Sequence, residues 1–254
     1  MGQRTPQEID HLSASSIKSY LGCAKSWEAN YLRGLKSPWS GALVRGRVVD
    51  ELSTRNWRQR AQTGRDMGTE ETRAYIGERF RVAVGETDLP IDWGRLSQDE
   101  TLASTLELAD LHMTYHAQLV DPEATQLRFE VPIPGARRTV VGFLDALGRD
   151  GTVYDVKTGG RKLAQRDADQ DLQATAYAYG LGRPIEFVWL RCVAAKEPFT
   201  EIVTSTRGEP AIDWFGELAA SVSTLIDAGS YPANPGWRCN FCPLKATCVA
   251  SLTT

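Results

Sequence analysis

Residues 138–160 read RTVVGFLDALGRDGTVYDVKTGG, and the fold turns on them. Val, Phe, Leu and Tyr dominate 138–147 and 152–158, as they do in half-buried strands, and Gly148, Arg149, Asp150 and Gly151 between them spell a hairpin turn. Two carboxylates interrupt this apolar pair, Asp145 in the first strand and Asp155 in the second. They lie ten residues apart across a tight hairpin, so they can approach each other. Lys157, two residues beyond Asp155, leaves the same face of its strand.

Outward from this hairpin the period changes. QLRFEVPI, 126–133, alternates like a third strand. Before it the pattern is helical. Ser13 or Ser15 caps an expected helix reaching Leu32, and further helices are expected over 41–61, 69–84 and 97–119, with 88–94 a loop. After the hairpin come a helix over 163–180, strands over 185–194 and 199–205, and a helix over 213–228. The tail, YPANPGWRCNFCPLKATC, is loop-like. Helices flanking a mixed sheet make an α/β (α+β) fold. The expected division is a helical region over 1–125, a core over 126–208 and a C-terminal helix with its cysteine loop over 209–254, packed as one compact unit.

The 254 residues are 42% hydrophobic and 24% charged, an ordinary globular mixture that excludes disorder and collagen. No apolar run approaches the ~20 residues of a membrane-spanning helix. The first residues, MGQRTPQEIDHLS, hold no apolar signal core, so a cytoplasmic site of action is expected. A net charge of −3 argues against a protein that coats nucleic acid by charge alone, yet leaves room for a local basic groove. The five cysteines, an odd number, do not read as a disulfide framework.

Two carboxylates and a lysine at the ends of paired strands suit a divalent metal, because hard oxygen ligands hold Mg²⁺ or Mn²⁺. Such a metal polarises a phosphate and acidifies a water, and Lys157 can neutralise developing charge. Taken alone, the same residues also fit a cross-strand ion pair.

Asp145 followed by Asp155-Val156-Lys157 resembles the motif of the PD-(D/E)XK nucleases. Gln173 and Tyr177, one turn apart on the next helix, are similar to the extra motif of the RecB-like branch of that superfamily. The resemblance implies a restriction-endonuclease-like mixed sheet flanked by helices, with Asp145, Asp155, Lys157, Gln173 and Tyr177 catalytic. It further implies Mg²⁺ or Mn²⁺ held by Asp145, Asp155, the main-chain carbonyl of Val156 and one upstream helical residue. In the family that residue is the histidine of a G-x-x-x-H motif. Here the matching stretch begins at Gly46 and Asp50 stands in the histidine's place. Glu51, one position on, is about a hundred degrees round the helix. Glu130 is similar to an acidic residue of relatives, or else makes an ion pair.

Cys239, Cys242 and Cys248 crowd one loop and need a chemical reason. Zinc is one, but structural zinc sites pair two short knuckles and no second knuckle exists here. The remaining cysteines are Cys23, on the first helix, and Cys192, in a strand, where it reads as a small buried hydrophobe. The segments S-x-S-x-I-x-x-Y-x-x-C at 13–23 and C-x-x-C-P-x4-C at 239–248 resemble those of the iron–sulfur RecB-like exonucleases, among them CRISPR-associated exonucleases and the AddB nuclease domain. That resemblance implies a [4Fe–4S] cluster on Cys23, Cys239, Cys242 and Cys248. It also implies a metal-dependent exonuclease acting on single-stranded DNA or DNA ends in recombination or repair. The expected partners are DNA and a helicase, a recombinase or CRISPR adaptation proteins, with no membrane. A catalytically weak DNA-end-binding subunit of such a complex is the alternative.

Arg161, Lys162 and Arg166 follow the second strand of the hairpin and could hold phosphates, and Trp237 could stack on a base. His112 and His116, at i and i+4, have no H-E-x-x-H pattern and are expected on a solvated helix face. No Walker loop G-x4-G-K-[ST] is present, so the chain is not itself an ATP-driven helicase.

Overall fold

A computed structural model of the chain describes residues 9–248 and 250; the stretch MGQRTPQE, read above for a signal, lies outside them. A six-stranded sheet crosses the molecule. Its strands are β1 (His11–Leu12), β2 (Pro122–Pro132), β3 (Thr139–Gly148), β4 (Val153–Gly159), β5 (Ile185–Val193) and β6 (Phe199–Arg207). β3 is the hub. β2 runs antiparallel along one edge of it. On the other edge β1 pairs in parallel with Thr139 and Val140, and β4 pairs antiparallel with Ala146 and Leu147 only. Among the described residues, 141–145 of β3 therefore have no strand beside them on that edge, and the sheet opens there.

From β4 the chain crosses over through α6 (Gln165–Asp169) and α7 (Leu172–Leu181) to β5, which is parallel to β4, and then turns back into antiparallel β6. Helices cover both faces. On one, α1 (Ala14–Gly22), α7 and α8 (Glu209–Asp227) pack over a core that includes Trp27, Leu144, Tyr177, Phe187 and Phe215. On the other, α3 (Gly41–Thr63) and α5 (Gln98–Tyr115) bury Val49, Trp57 and Leu108 against Val156, Val188 and Leu190. α4 (Thr69–Gly85) packs outside them through Ile76 and Phe80 against Val44 and Leu52. Strand periodicity makes this sandwich: on β5, Phe187 and Trp189 face one layer while Val188 and Leu190 face the other.

Local chemistry sets the boundaries. Ser13, Ser40 and Ser97 cap α1, α3 and α5 with their hydroxyls, and Asp171 caps α7. Gly64 ends α3 at φ 72°, a left-handed turn that glycine adopts without penalty.

Several expectations are corrected. The first helix does not run unbroken to Leu32. Cys23 leaves helical geometry at φ −167°, and the chain restarts as α2 (Ala24–Trp27) followed by a π turn, Glu28–Leu32. The break is held by the tail, since Lys25 N–H donates to Pro232 O and the Asn234 amide donates to Gly22 O. The helix expected over 163–180 is two helices parted at Gln170 and Asp171, because Asp171 turns its side chain back to cap α7. His112 and His116 are not solvated but fully buried, since α5 packs that face on the sheet. Among the described residues no helix is long and apolar enough to cross a membrane.

Candidate active site

The opening in the sheet beside β3 collects the acidic residues. Where β4 splays away, β3's backbone no longer reaches it, and a side chain takes over: Val156 N–H donates to Asp145 Oδ2 at 3.0 Å. N–H and C=O of one strand residue share an edge, so the Val156 carbonyl also faces this opening. Asp155 is fully buried on the α7 side. Its Oδ1 accepts from Lys157 Nζ at 2.7 Å and from Gln173 Nε2 at 2.9 Å, and Gln173 Nε2 also donates to the Tyr177 hydroxyl at 2.6 Å. Gln173 and Tyr177 are one turn apart on α7, so one helix face delivers both.

α3 brings the third carboxylate from the other layer. A β-carbon on Gly46 would lie 3.1 Å from Thr158 Oγ1, so α3 and β4 approach closely here and glycine eases the contact. One turn further on, on the same face, Asp50 lies against Asp145. Its Oδ1 is buried with no hydrogen-bond partner among the described residues. Glu51 turns away and is held by Arg47 at 2.9 Å and Arg79 at 2.6 Å.

Three carboxylates around one lysine leave an uncompensated negative charge in a water-poor place. Burial, reinforced by Asp155, pushes Asp50 up to about 6 against the pull of Lys157. Burial and Asp50 push Asp145 up to about 6. Burial, against the pull of Lys157, and Asp145 push Asp155 up to about 7. Burial opposes the charge of Lys157, but Asp155, Asp145 and Asp50 outweigh it and raise its ammonium above the usual lysine range. Burial and the same carboxylates hold the Tyr177 phenol well above its ordinary value. A surplus of buried carboxylate oxygens, Asp50 Oδ1 among them without a hydrogen-bond partner among the described residues, is a donor set that fits a divalent cation.

Two hollows flank the group. A cleft of about 630 Å³ reaches Asp50 and is walled by Arg47, Arg55, Arg58, Arg79 and Gln126. Gln126 is the one described non-glycine residue with positive φ, at 50°, and it stands opposite Asp145 in the register of β2 with β3. Its amide donates to Thr54 Oγ1 at 3.1 Å. Sequence reading missed this wall; the spacing of Arg47, Arg55 and Arg58 about the Asp50 face of α3 was the available signal. The second hollow, about 490 Å³, lies between α1 and the free edge of β3, with Gln173, Tyr177, Lys18 and the half-exposed Phe143 in its lining.

Cys23, Cys239, Cys242 and Cys248 all line one further small cavity, between the start of α2 and the tail. N–H groups of Asn234 and Gly236 donate to the sulfurs of Cys23 and Cys239, each at 3.4 Å. The other expected contact residues fall outside the carboxylate group. Arg161, Lys162 and Arg166 are exposed, with Lys162 over the Phe199 ring. Trp237 is exposed on the cysteine loop beside Phe241. Glu130 is exposed and pairs with Arg128.

Residues 11–249 match the PD-(D/E)XK nuclease superfamily. Among solved structures, a candidate exonuclease from Eubacterium rectale superposes with a TM-score of 0.59 at 13% identity, over 96% of this chain and 88% of that one. A second solved chain, SSO0001, covers 93% of each chain at 12% identity with a TM-score of 0.38, too low to bear on the fold. Among curated proteins none matches the sequence.

Proposed function

This chain belongs to the PD-(D/E)XK nuclease superfamily, and from that premise we propose that it is a metal-dependent exonuclease of single-stranded DNA or DNA ends. The observation that carries this reading is the meeting of Asp50, Asp145, Asp155 and Lys157 at the opening of the sheet, with a buried Asp50 oxygen left without a partner. Asp50, Asp145, Asp155 and the Val156 carbonyl would hold Mg²⁺ or Mn²⁺. Such an ion supplies Lewis-acid polarisation of the scissile phosphate and an acidified water.

The chain's own groups do the rest. Lys157, kept cationic by three carboxylates, donates to a phosphate oxygen and offsets the charge that develops there. Gln173 fixes the orientation of Asp155 and is itself fixed by Tyr177. Arg55 and Arg58 in the cleft, and Lys18 in the second hollow, offer phosphate contacts on the two sides of the carboxylates, as a threaded strand needs. The four cysteines round one cavity support a [4Fe–4S] cluster that ties the start of α2 to the tail.

The test is cleavage of end-labelled single-stranded DNA with Mg²⁺ or Mn²⁺ by protein prepared without oxygen. Wild type is expected to shorten the strand, and Lys157→Ala to do so at least ~100-fold more slowly, about 2.7 kcal/mol of transition-state stabilisation. If wild type binds the strand but leaves it intact with either metal, the chain is a DNA-binding relative of nucleases and the catalytic reading fails.

A further inference from the structure

The helical layer buries a second group of metal-ligating side chains, which the nuclease reading does not use. His112 and His116 stand one turn apart at the end of α5, and Cys192 faces them from β5. All three are fully buried, and one ligand atom of each lies within 4.8 Å of the others. A point within about 2.8 Å of all three therefore exists, and a small contraction reaches the ~2.0–2.3 Å of zinc–nitrogen and zinc–sulfur bonds. Cys192 Sγ and His116 Nδ1 are 3.9 Å apart, close to the ~3.6 Å that these bond lengths give for two ligands of one tetrahedral ion.

The hydrogen bonds leave nitrogen free for an ion. Ser53 Oγ donates to Val49 O at 2.8 Å, which engages its only proton. At 3.0 Å from His112 Nε2 the same oxygen must accept, so Nε2 carries the hydrogen and Nδ1 is a bare lone pair. Among the described residues His112 Nδ1 has no hydrogen-bond partner. A bare nitrogen in an apolar core is unfavourable unless something satisfies it, and His112 Nδ1 is placed to meet an ion. Ser53 plays the part of an outer-shell group that fixes a ligand's tautomer.

We propose that His112, His116 and Cys192 supply three ligands of a zinc site that fastens α5 to β5. Two imidazoles and a thiol, with no carboxylate among them, favour zinc over the hard Mg²⁺ of the carboxylate group. Burial holds His112 down to about 3 and His116 down to about 4, so no proton competes for their nitrogens near neutrality. Burial pushes the Cys192 thiol up to about 12. Zinc binding therefore forms the Zn–S bond as the S–H proton leaves, one proton released per ion.

Whole chain purified without oxygen from zinc-supplemented cells tests this, by metal analysis and X-ray absorption at the zinc edge. The expected result is one zinc per chain, with two nitrogens at ~2.0–2.1 Å and one sulfur at ~2.3 Å in its shell. Cys192→Ser should lower zinc content at least about tenfold and leave iron content and circular dichroism unchanged. A shell of four sulfurs would put the ion among Cys23, Cys239, Cys242 and Cys248 and overturn the proposal, as would wild type without stoichiometric zinc. Should Cys192→Ser fail to fold, the shell of the wild-type ion still decides between these outcomes.

Discussion

Asp155 is the residue on which the others converge: Lys157, Gln173 and, through Gln173, Tyr177 are all arranged about its carboxylate. Asp50, Asp145 and Asp155 are each held above the ordinary carboxylate range, so the folded chain binds protons more tightly than the unfolded one. Without metal, the stability they contribute is full below about pH 4 and is lost as the pH rises through 6 to 7. In chelator at pH 8, Asp155→Asn is accordingly expected to melt above wild type, by about 2–4 °C for each kcal/mol relieved. Below about pH 4, where this carboxyl is protonated in the folded and the unfolded chain alike, the two should melt together. Calorimetry at the two pH values checks this, and a gap that widens on acidification would refute the charge-crowding account. Asp145, Asp155 and Lys157 were legible because charge inside apolar strands is conspicuous. The buried imidazoles were not, because polarity alone does not say which face of α5 meets the sheet. Gln126 left no trace either, since nothing in an alternating strand pattern announces a left-handed backbone.

At the scale of elements, the reach of α3 decides whether Asp50 joins the other two carboxylates. A β-carbon at Gly46 would already press on Thr158 Oγ1 at 3.1 Å, and a large side chain would need far more room. Gly46→Leu is expected to push α3 off β4 and withdraw Asp50, lowering strand cleavage ~100-fold while the chain stays folded. Rate measurements beside a circular dichroism spectrum check it; a fast, folded Gly46→Leu would mean that Asp50 is dispensable. Element order and type were largely readable from periodicity, and β3, β4 and β5 lie close to their expected limits. The two failures, at Cys23 and at Gln170, share a cause. Each apolar helical repeat continues through the break, and the break is imposed from outside the repeat: by the distant tail at Cys23, and by a capping side chain at Asp171.

At the scale of the molecule, both layers are anchored on one sheet whose hub strand touches three others. That topology was not legible. The parallel pairing of β1 with β3 rests on two residues, too few to show a period. Closure through the cysteine cavity joins segments more than two hundred residues apart. Cys23→Ser should therefore loosen the start of α2 and residues 232–248 while β3, β4 and β5 keep their protection, a contrast that hydrogen exchange reads directly. Uniform loosening of the whole chain would show that the cavity supports the core rather than the ends. The raised carboxylates bear on the whole molecule as well. Near neutrality the group still carries protons, so a divalent ion entering it displaces them and filling the site is ion exchange. The chain, formally at −3, then gains fewer than two positive charges on loading. Its long-range field therefore changes by less than the ion's two charges, and drawing a strand in would fall to the arginines of the cleft.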